Sequence, residues 1–322
     1  MLEELIGAIA RGVLGAIAVA IGLELGLRFA GLATVIRYIP DVAMGHRLAP
    51  NQQLRRWNKR LFVNHYSMRN GDIPPARPWN MLRILMLGDS VANGGLAIAQ
   101  HHTIAALLEQ QLAEGQAAWP TGQRNPAQVL NASASAWGPR NELGYVQTFG
   151  TFDAQIIVLL LNTDDLFAGP PSATSVYAAA NDREPSQWWK WWAIAQLFKR
   201  NRPIVSAPIA ESNCVAMNLE AIRSIHQIAH RHHAQFIVAM TPLRREIVHS
   251  EQRHYEYEAK RELHHFLMQS GIPYLDCKPA FRQAISMMKI YHDSIHLTVQ
   301  GNRLVASLLA QLIRQQNLQQ LR

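Results

Sequence analysis

Short apolar runs recur along most of the chain: Ile84–Leu87, Gln128–Leu130, Ile156–Leu161, Phe236–Met240 and, more weakly, Pro273–Leu275. Each is too short for a helix and is bounded by polar or turn-forming residues, the pattern of a strand buried on both faces. Between them apolar residues return at helical spacing, predicting helices over about 101–114, 139–149, 186–200, 215–233, 252–269 and 297–317. Continuous apolar strands alternating with helices specify an α/β fold with a parallel sheet covered on both sides. Ligands in such sheets bind at the carboxyl ends of the strands. Residues 38–80 are polar and Pro/Asn-containing, end in GDIPPARPWN, and read as a linker with one hairpin. The expected division is therefore 1–37, 38–80 and 81–322.

The amino-terminal segment has a different pattern. Leu5 to Ile36 is apolar apart from Arg11, Glu24 and Arg28. With Arg11 snorkelling, Leu5 to Leu23 approaches the roughly 20 residues of a membrane-spanning helix. A cleaved signal would carry a basic start and a small-x-small cleavage site, whereas Glu3 and Glu4 stand here. The expectation is a retained membrane anchor, with the membrane as a partner through this helix. Arg28 and Arg37 on its carboxyl side favour that side being cytoplasmic, a weak bias.

Composition adds exclusions. Thirty-one Lys+Arg against 23 Asp+Glu leave +8, which suits anionic surroundings, but the basic residues form no dense run and no nucleic-acid partner is expected. Cys214 and Cys277, the two cysteines, rule out a disulfide scaffold or a four-cysteine zinc site. The sequence has no GxGxxG, no P-loop and no GxSxG. His230, His232 and His233 lack ligating neighbours at metal spacing and read as surface histidines.

Candidate chemistry lies at two ends. In RILMLGDSVANGG, Ser90 follows the first apolar run at a strand-to-helix turn. A serine hydroxyl needs a base, an orienting carboxylate and donors for an oxyanion. In YHDSIHLTVQGNRLVASLLA, Asp293 and His296 stand three apart before an amphipathic helix. A carboxylate and an imidazole so placed can face one point. Taken alone, the same residues also fit a turn in which Asp293 or Thr298 caps the helix and His296 is exposed. Asp89 reads as the residue that fixes the serine's turn.

Together these blocks resemble the SGNH (GDSL-type) hydrolase family, with Gly88-Asp89-Ser90 after the first strand and Asp293-x-x-His296 before the last helix. GHRLAPN, FVNHYSMRNGD and ELGLRFAG are similar to segments of its membrane-attached members. The resemblance implies a flavodoxin-like three-layer α/β/α domain with Ser90 as nucleophile, His296 as base and Asp293 as orienter, and no metal or cofactor. The middle blocks depart from the family pattern. In NASASAWGPRNEL, Ala136 falls where the family has its oxyanion glycine, with Gly138 two residues on. In LLLNTDDL, Asp164 replaces the family's donating asparagine, and an ionised aspartate cannot donate. Asn162 is then the favoured side-chain donor, with a protonated Asp164 as the alternative. QWWKWW, with Trp188, Trp189, Trp191 and Trp192, fits either core and surface cover or a sugar- or acyl-binding wall. The function implied is a membrane-tethered serine esterase or O-acyltransferase. Its substrate would be an acylated carbohydrate, with acetyl esters of an envelope or extracellular glycan favoured. The family's anchored members place the catalytic domain outside the cytoplasm. The competing reading is a non-catalytic glycan-binding or assembly protein that keeps the fold.

Overall fold

The computed structural model describes residues 1–32, 34–114, 126–172, 213–248 and 253–320. Helix α1 (Leu2–Phe29) is long and apolar enough to cross a membrane, and its side chains lie almost entirely exposed. At 1.5 Å per residue it spans about 40 Å, against a hydrocarbon core of about 30 Å. The chain at its carboxyl end is tied to residues 55–57. The Trp57 N–H donates to the Ala30 carbonyl at 2.5 Å, and the Thr34 hydroxyl donates to the Arg55 carbonyl at 2.7 Å.

Residues 38–80 differ from the expected linker. They contain two antiparallel hairpins, β1 (Tyr38–Asp41) with β2 (Gly45–Leu48) and β3 (Gln52–Arg56) with β4 (Lys59–Val63). Tyr38, Met44, Leu48, Leu61, Val63, Met68 and Ile73 are all buried in one cluster with the main sheet. The apolar positions in this stretch are sparse; these seven are spent on the core, while Val42, Trp57 and Trp79 are exposed.

The main sheet comprises β5 (Leu82–Gly88), β6 (Ala127–Ser133), β7 (Ile156–Asn162), β8 (Gln235–Thr241) and β9 (Tyr274–Asp276), in the order β6-β5-β7-β8-β9 with every pair parallel. In order of appearance this is 2-1-3-4-5, the flavodoxin-like arrangement. The continuous apolar runs follow from two-sided burial. Leu85, Leu87, Ile157, Leu159, Val238 and Met240 face one cluster, and Ile84, Met86, Val158, Leu160, Ile237 and Ala239 face the other. The first face is covered by the hairpins and by α4 (Pro139–Phe149), α5 (Cys214–Arg231) and α7 (His254–Gln269). The second is covered by α3 (Ile104–Glu114), α8 (Lys278–Ala284) and α9 (Val299–Gln320). Two short helices, α2 (Ser90–Asn93) and α6 (Arg244–Val248), follow β5 and β8 directly.

The predicted helices at 101–114, 139–149, 215–233, 252–269 and 297–317 correspond to α3, α4, α5, α7 and α9. The predicted helix at 186–200 and the tryptophans of QWWKWW lie outside the described residues. Cys214 and Cys277 are both free thiols, and burial pushes the Cys277 thiol well up. Among the described residues no cluster of His, Cys, Asp and Glu fits a metal ion.

Candidate active site

Three loops leave the sheet at one edge because the register brings them there. Gly88 at the end of β5 pairs with Ser133 of β6 on one side and with Leu160 of β7 on the other. Residues 89–90, 134–138 and 162–165 therefore emerge side by side. The order of the strands reverses at β5, so this edge is the crevice where such folds bind ligands.

Asp89 is the N-cap of α2. One carboxylate oxygen accepts the Val91 N–H at 2.8 Å, which fixes the turn and puts Ser90 at the first helical position. The turn that carries Asp293 and His296 is braced from several sides. Thr298 N–H donates to the Ile290 carbonyl at 2.8 Å, Arg244 N–H to the Ser294 carbonyl at 3.0 Å, and the Tyr291 hydroxyl to the Pro242 carbonyl at 2.6 Å. Ser90 Oγ lies 2.9 Å from His296 Nε2, and His296 Nδ1 lies 2.8 Å from Asp293 Oδ2. A carboxylate only accepts, so the Nδ1 proton faces Asp293 and the Nε2 lone pair is left for the serine hydroxyl, a tautomer assigned from this network. Asp293 does not cap α9. Its other oxygen accepts the N–H groups of Ile295 and His296 at 2.9 and 2.8 Å. Partial desolvation would raise the Asp293 carboxyl, but those N–H groups and the imidazole outweigh it and hold the pKa below its ordinary value. The carboxylate thus stays charged opposite the ring.

The oxyanion candidates fare differently. Ala136 is exposed at φ 61°, a left-handed turn that a glycine adopts more readily. Gly138 is not available as a donor, because its N–H is taken by Asn141 Oδ1 at 3.0 Å. The glycine there answers a packing need: a Cβ would meet that of Ala168 at 2.4 Å. Asn162 is also not a free donor. Both hydrogens of its buried amide are committed, to Asp89 Oδ2 at 3.0 Å and Asp165 Oδ2 at 2.8 Å. Asp164 is exposed, and among the described residues its carboxylate makes no hydrogen bond. Partial desolvation and the nearby Glu256 and Glu246 raise its pKa against the pull of Arg245.

Sequence reasoning missed what lies beneath the serine. Asp89, Asp165 and Glu142 are three buried carboxyl groups that influence one another, with Asn162 bridging the first two. Burial first, and then the neighbouring Asp89, pushes Asp165 and Glu142 well above the ordinary carboxylate range. Both Glu142 oxygens are buried with no hydrogen-bond partner among the described residues. The available signal was a charged residue two positions after Arg140 on the face of α4 that also carries Tyr145 and Val146. Glu142 keeps its proton in the folded protein at pH values where the unfolded chain has lost it. Folding stability therefore falls as pH rises above the ordinary glutamate range, by up to about 1.4 kcal/mol per pH unit. Glu142→Gln removes that dependence, so its melting temperature relative to the unsubstituted protein should climb over the pH range above the ordinary glutamate titration. A difference that stays flat across that range would show that Glu142 is ionised in the fold.

A serine, an imidazole and a carboxylate linked in that order at a strand end define a hydrolase-type site. The chain matches the GDSL-like lipase/acylhydrolase family over residues 86–304. It belongs to that family, and with it to the serine ester hydrolases. Similar solved structures include Axe2, an acetylxylan esterase from Geobacillus stearothermophilus, at 15% identity and a TM-score of 0.47, covering 72% of this chain and 93% of that one. The acetyl xylan esterase AlAXEase is similar at 11% identity and a TM-score of 0.46, covering 72% and 99%. TesA is similar at 15% identity and a TM-score of 0.45, covering 72% and 97%. Comparison with curated proteins gives no match.

Proposed function

We propose that this protein is a membrane-tethered esterase that removes or transfers an O-acyl group through an acyl-serine at Ser90. The linkage of Ser90, His296 and Asp293 at 2.9 and 2.8 Å carries this reading. Ser90 Oγ attacks the ester carbonyl as its proton passes to His296 Nε2, and the imidazolium is stabilised by Asp293. The tetrahedral oxyanion faces the N–H groups of Ser90 and Ala136. The intermediate collapses, the C–O bond to the alcohol breaks, and His296 returns the proton to the leaving oxygen. Water or a second hydroxyl, losing its proton to His296, then attacks the acyl carbonyl, the C–O bond to Ser90 breaks, and His296 returns the proton to Ser90 Oγ. Asn162 is a positioning residue in this scheme, since it ties Asp89, and so the serine's turn, to the end of β7.

Access to the site supports a reading of the substrate class. Ser90 is half-buried, and the side chains of His296 and Asp293 are 42% and 50% exposed, so an ester displayed on a polymer reaches the serine at the surface. An acetylated envelope or extracellular glycan fits this access and an anchored enzyme. Residues 1–37 serve as the anchor, the catalytic unit begins at Tyr38 rather than at 81, and it faces away from the cytoplasm. Washing membranes with alkaline carbonate should leave the full chain in the pellet; its release would remove the anchor from the proposal. A reporter fused after Arg322 that is active only in the cytoplasm would reverse the orientation.

The test of the reaction is intact-mass measurement of the full chain in detergent after treatment with a fluorophosphonate. One adduct should form, and none should form on Ser90→Ala. A chain that takes no phosphonate would leave the non-catalytic glycan-binding reading in its place.

A further inference from the structure

We infer that His46, on the β1–β2 hairpin, is a positioning residue that holds Ala136 in place for oxyanion stabilisation. The inference rests on the site reading above. His46 is 1% exposed. Its Nε2 lies 2.8 Å from the Ser135 carbonyl and its Nδ1 2.9 Å from the Ser172 carbonyl. Carbonyl oxygens only accept and a neutral imidazole has one N–H; with that proton placed on Nε2, the nearer nitrogen, the ring donates to Ser135 and bridges two loops. One of those loops is the turn that carries Ala136. The other follows the third block.

The rest of the hairpin converges on the same turn. The Tyr38 hydroxyl donates to Ser135 Oγ at 2.9 Å, and the Tyr38 ring meets His46 edge-on at 5.8 Å. In return, Trp137 Nε1 donates to the His46 carbonyl at 2.8 Å and Asn141 Nδ2 to the Met44 carbonyl at 2.7 Å. Gly45, at φ 70°, lets the hairpin approach the Ser172 backbone so closely that a Cβ would meet its nitrogen at 2.3 Å. Ala136 needs this bracing. A non-glycine residue in the left-handed region is strained and persists only where its surroundings over-determine it. The bonds on Ser135 and Trp137 flank Ala136 on both sides. A segment that reads in the sequence as a connection between anchor and enzyme thus reaches the catalytic edge of the sheet through His46.

The test separates the two ends of the imidazole. A glutamine amide nitrogen takes roughly the position of Nε2, and an asparagine amide nitrogen that of Nδ1. His46→Gln therefore keeps the donor to Ser135, whereas His46→Asn loses it and points its amide at Ser172. Each variant of the full chain is assayed in detergent on p-nitrophenyl acetate, per active site titrated with fluorophosphonate, so unfolded protein does not count. His46→Asn should lower kcat by roughly 10- to 100-fold with KM within about 3-fold, as expected for a displaced rather than deleted donor, while His46→Gln retains most of the turnover. Tyr38→Phe, which removes one hydroxyl, should lower kcat several-fold. A merely structural histidine would lose stability alike in both variants and leave kcat unmoved.

Equal kcat losses for Asn and Gln, or unsubstituted kcat in both, would overturn the inference while Ser90→Ala remains inactive and unlabelled. If His46→Asn does not fold, Tyr38→Phe decides: several-fold lower kcat at unchanged KM supports the hairpin's role, and full kcat overturns it. A Ser90→Ala variant that still turns over substrate would overturn the site reading, and this inference with it.

Discussion

Ester turnover should fall by roughly three to six orders of magnitude in Ser90→Ala and in His296→Ala, and the double variant should be no worse than the poorer single. The reason is geometric. Ser90 Oγ lies 2.9 Å from the imidazole, and an unassisted serine hydroxyl is a weak nucleophile at neutral pH. Removing the base therefore disables the nucleophile, and removing the nucleophile leaves the base without a proton to take. Asp89 cannot substitute as base. Its Oδ2 lies 3.3 Å from Ser90 Oγ, a longer and weaker contact, and the same oxygen already accepts from Asn162. Steady-state rates per titrated site for the three variants check this. Losses that multiply in the double variant would show that Ser90 and His296 act in separate steps.

The two ends of the site are legible in the sequence because each is a local turn. Gly88-Asp89-Ser90 is fixed by an N-cap within the same segment, and Asp293 and His296 face one another within one turn. The strands are legible because burial on both faces leaves no polar position to break the run. The middle of the site is not, because capping bonds within each loop and partners from far along the chain together take up its donors. Asn162 reads as a free amide in the sequence, yet Asp89, distant along the chain, takes one of its hydrogens. Gly138 reads as a donor, but its N–H is used by Asn141 and its missing side chain by Ala168. The hairpins read as a linker because alternation over four or five residues is too short to declare a buried face, and Met44, Leu48, Leu61 and Val63 show their role only against Tyr145 and the sheet. Glu142 stands in the first turn of α4, where an acidic residue suits the helix dipole, so its burial shows in the pattern only through the face it shares with Tyr145 and Val146.

Asp293→Asn should lower kcat by up to about 10⁴-fold while the fold stays intact, the size expected when the orienting carboxylate of such a triad is made neutral. Asparagine matches the shape of aspartate, and its carbonyl oxygen can still accept the N–H groups of Ile295 and His296, which now hold Asp293 Oδ1. That constraint puts the amide NH2 where Oδ2 stands, 2.8 Å from His296 Nδ1. An NH2 group donates, so Nδ1 must accept, and the ring proton moves to Nε2. A protonated Nε2 faces Ser90 with a donor instead of a lone pair and cannot take the serine proton. The positive charge that forms on the ring during attack also loses its counter-charge. Because Asp293 is half-exposed, water can reach the ring, and Asp293→Ala, which leaves Nδ1 free to donate to solvent, should be less damaged than Asp293→Asn. Rates for the two variants, with a nitrogen-15 spectrum to report the His296 tautomer, check the argument. An asparagine variant that keeps the Nδ1 proton, or that outperforms alanine, would show that Asp293 acts through its charge and not by setting the tautomer.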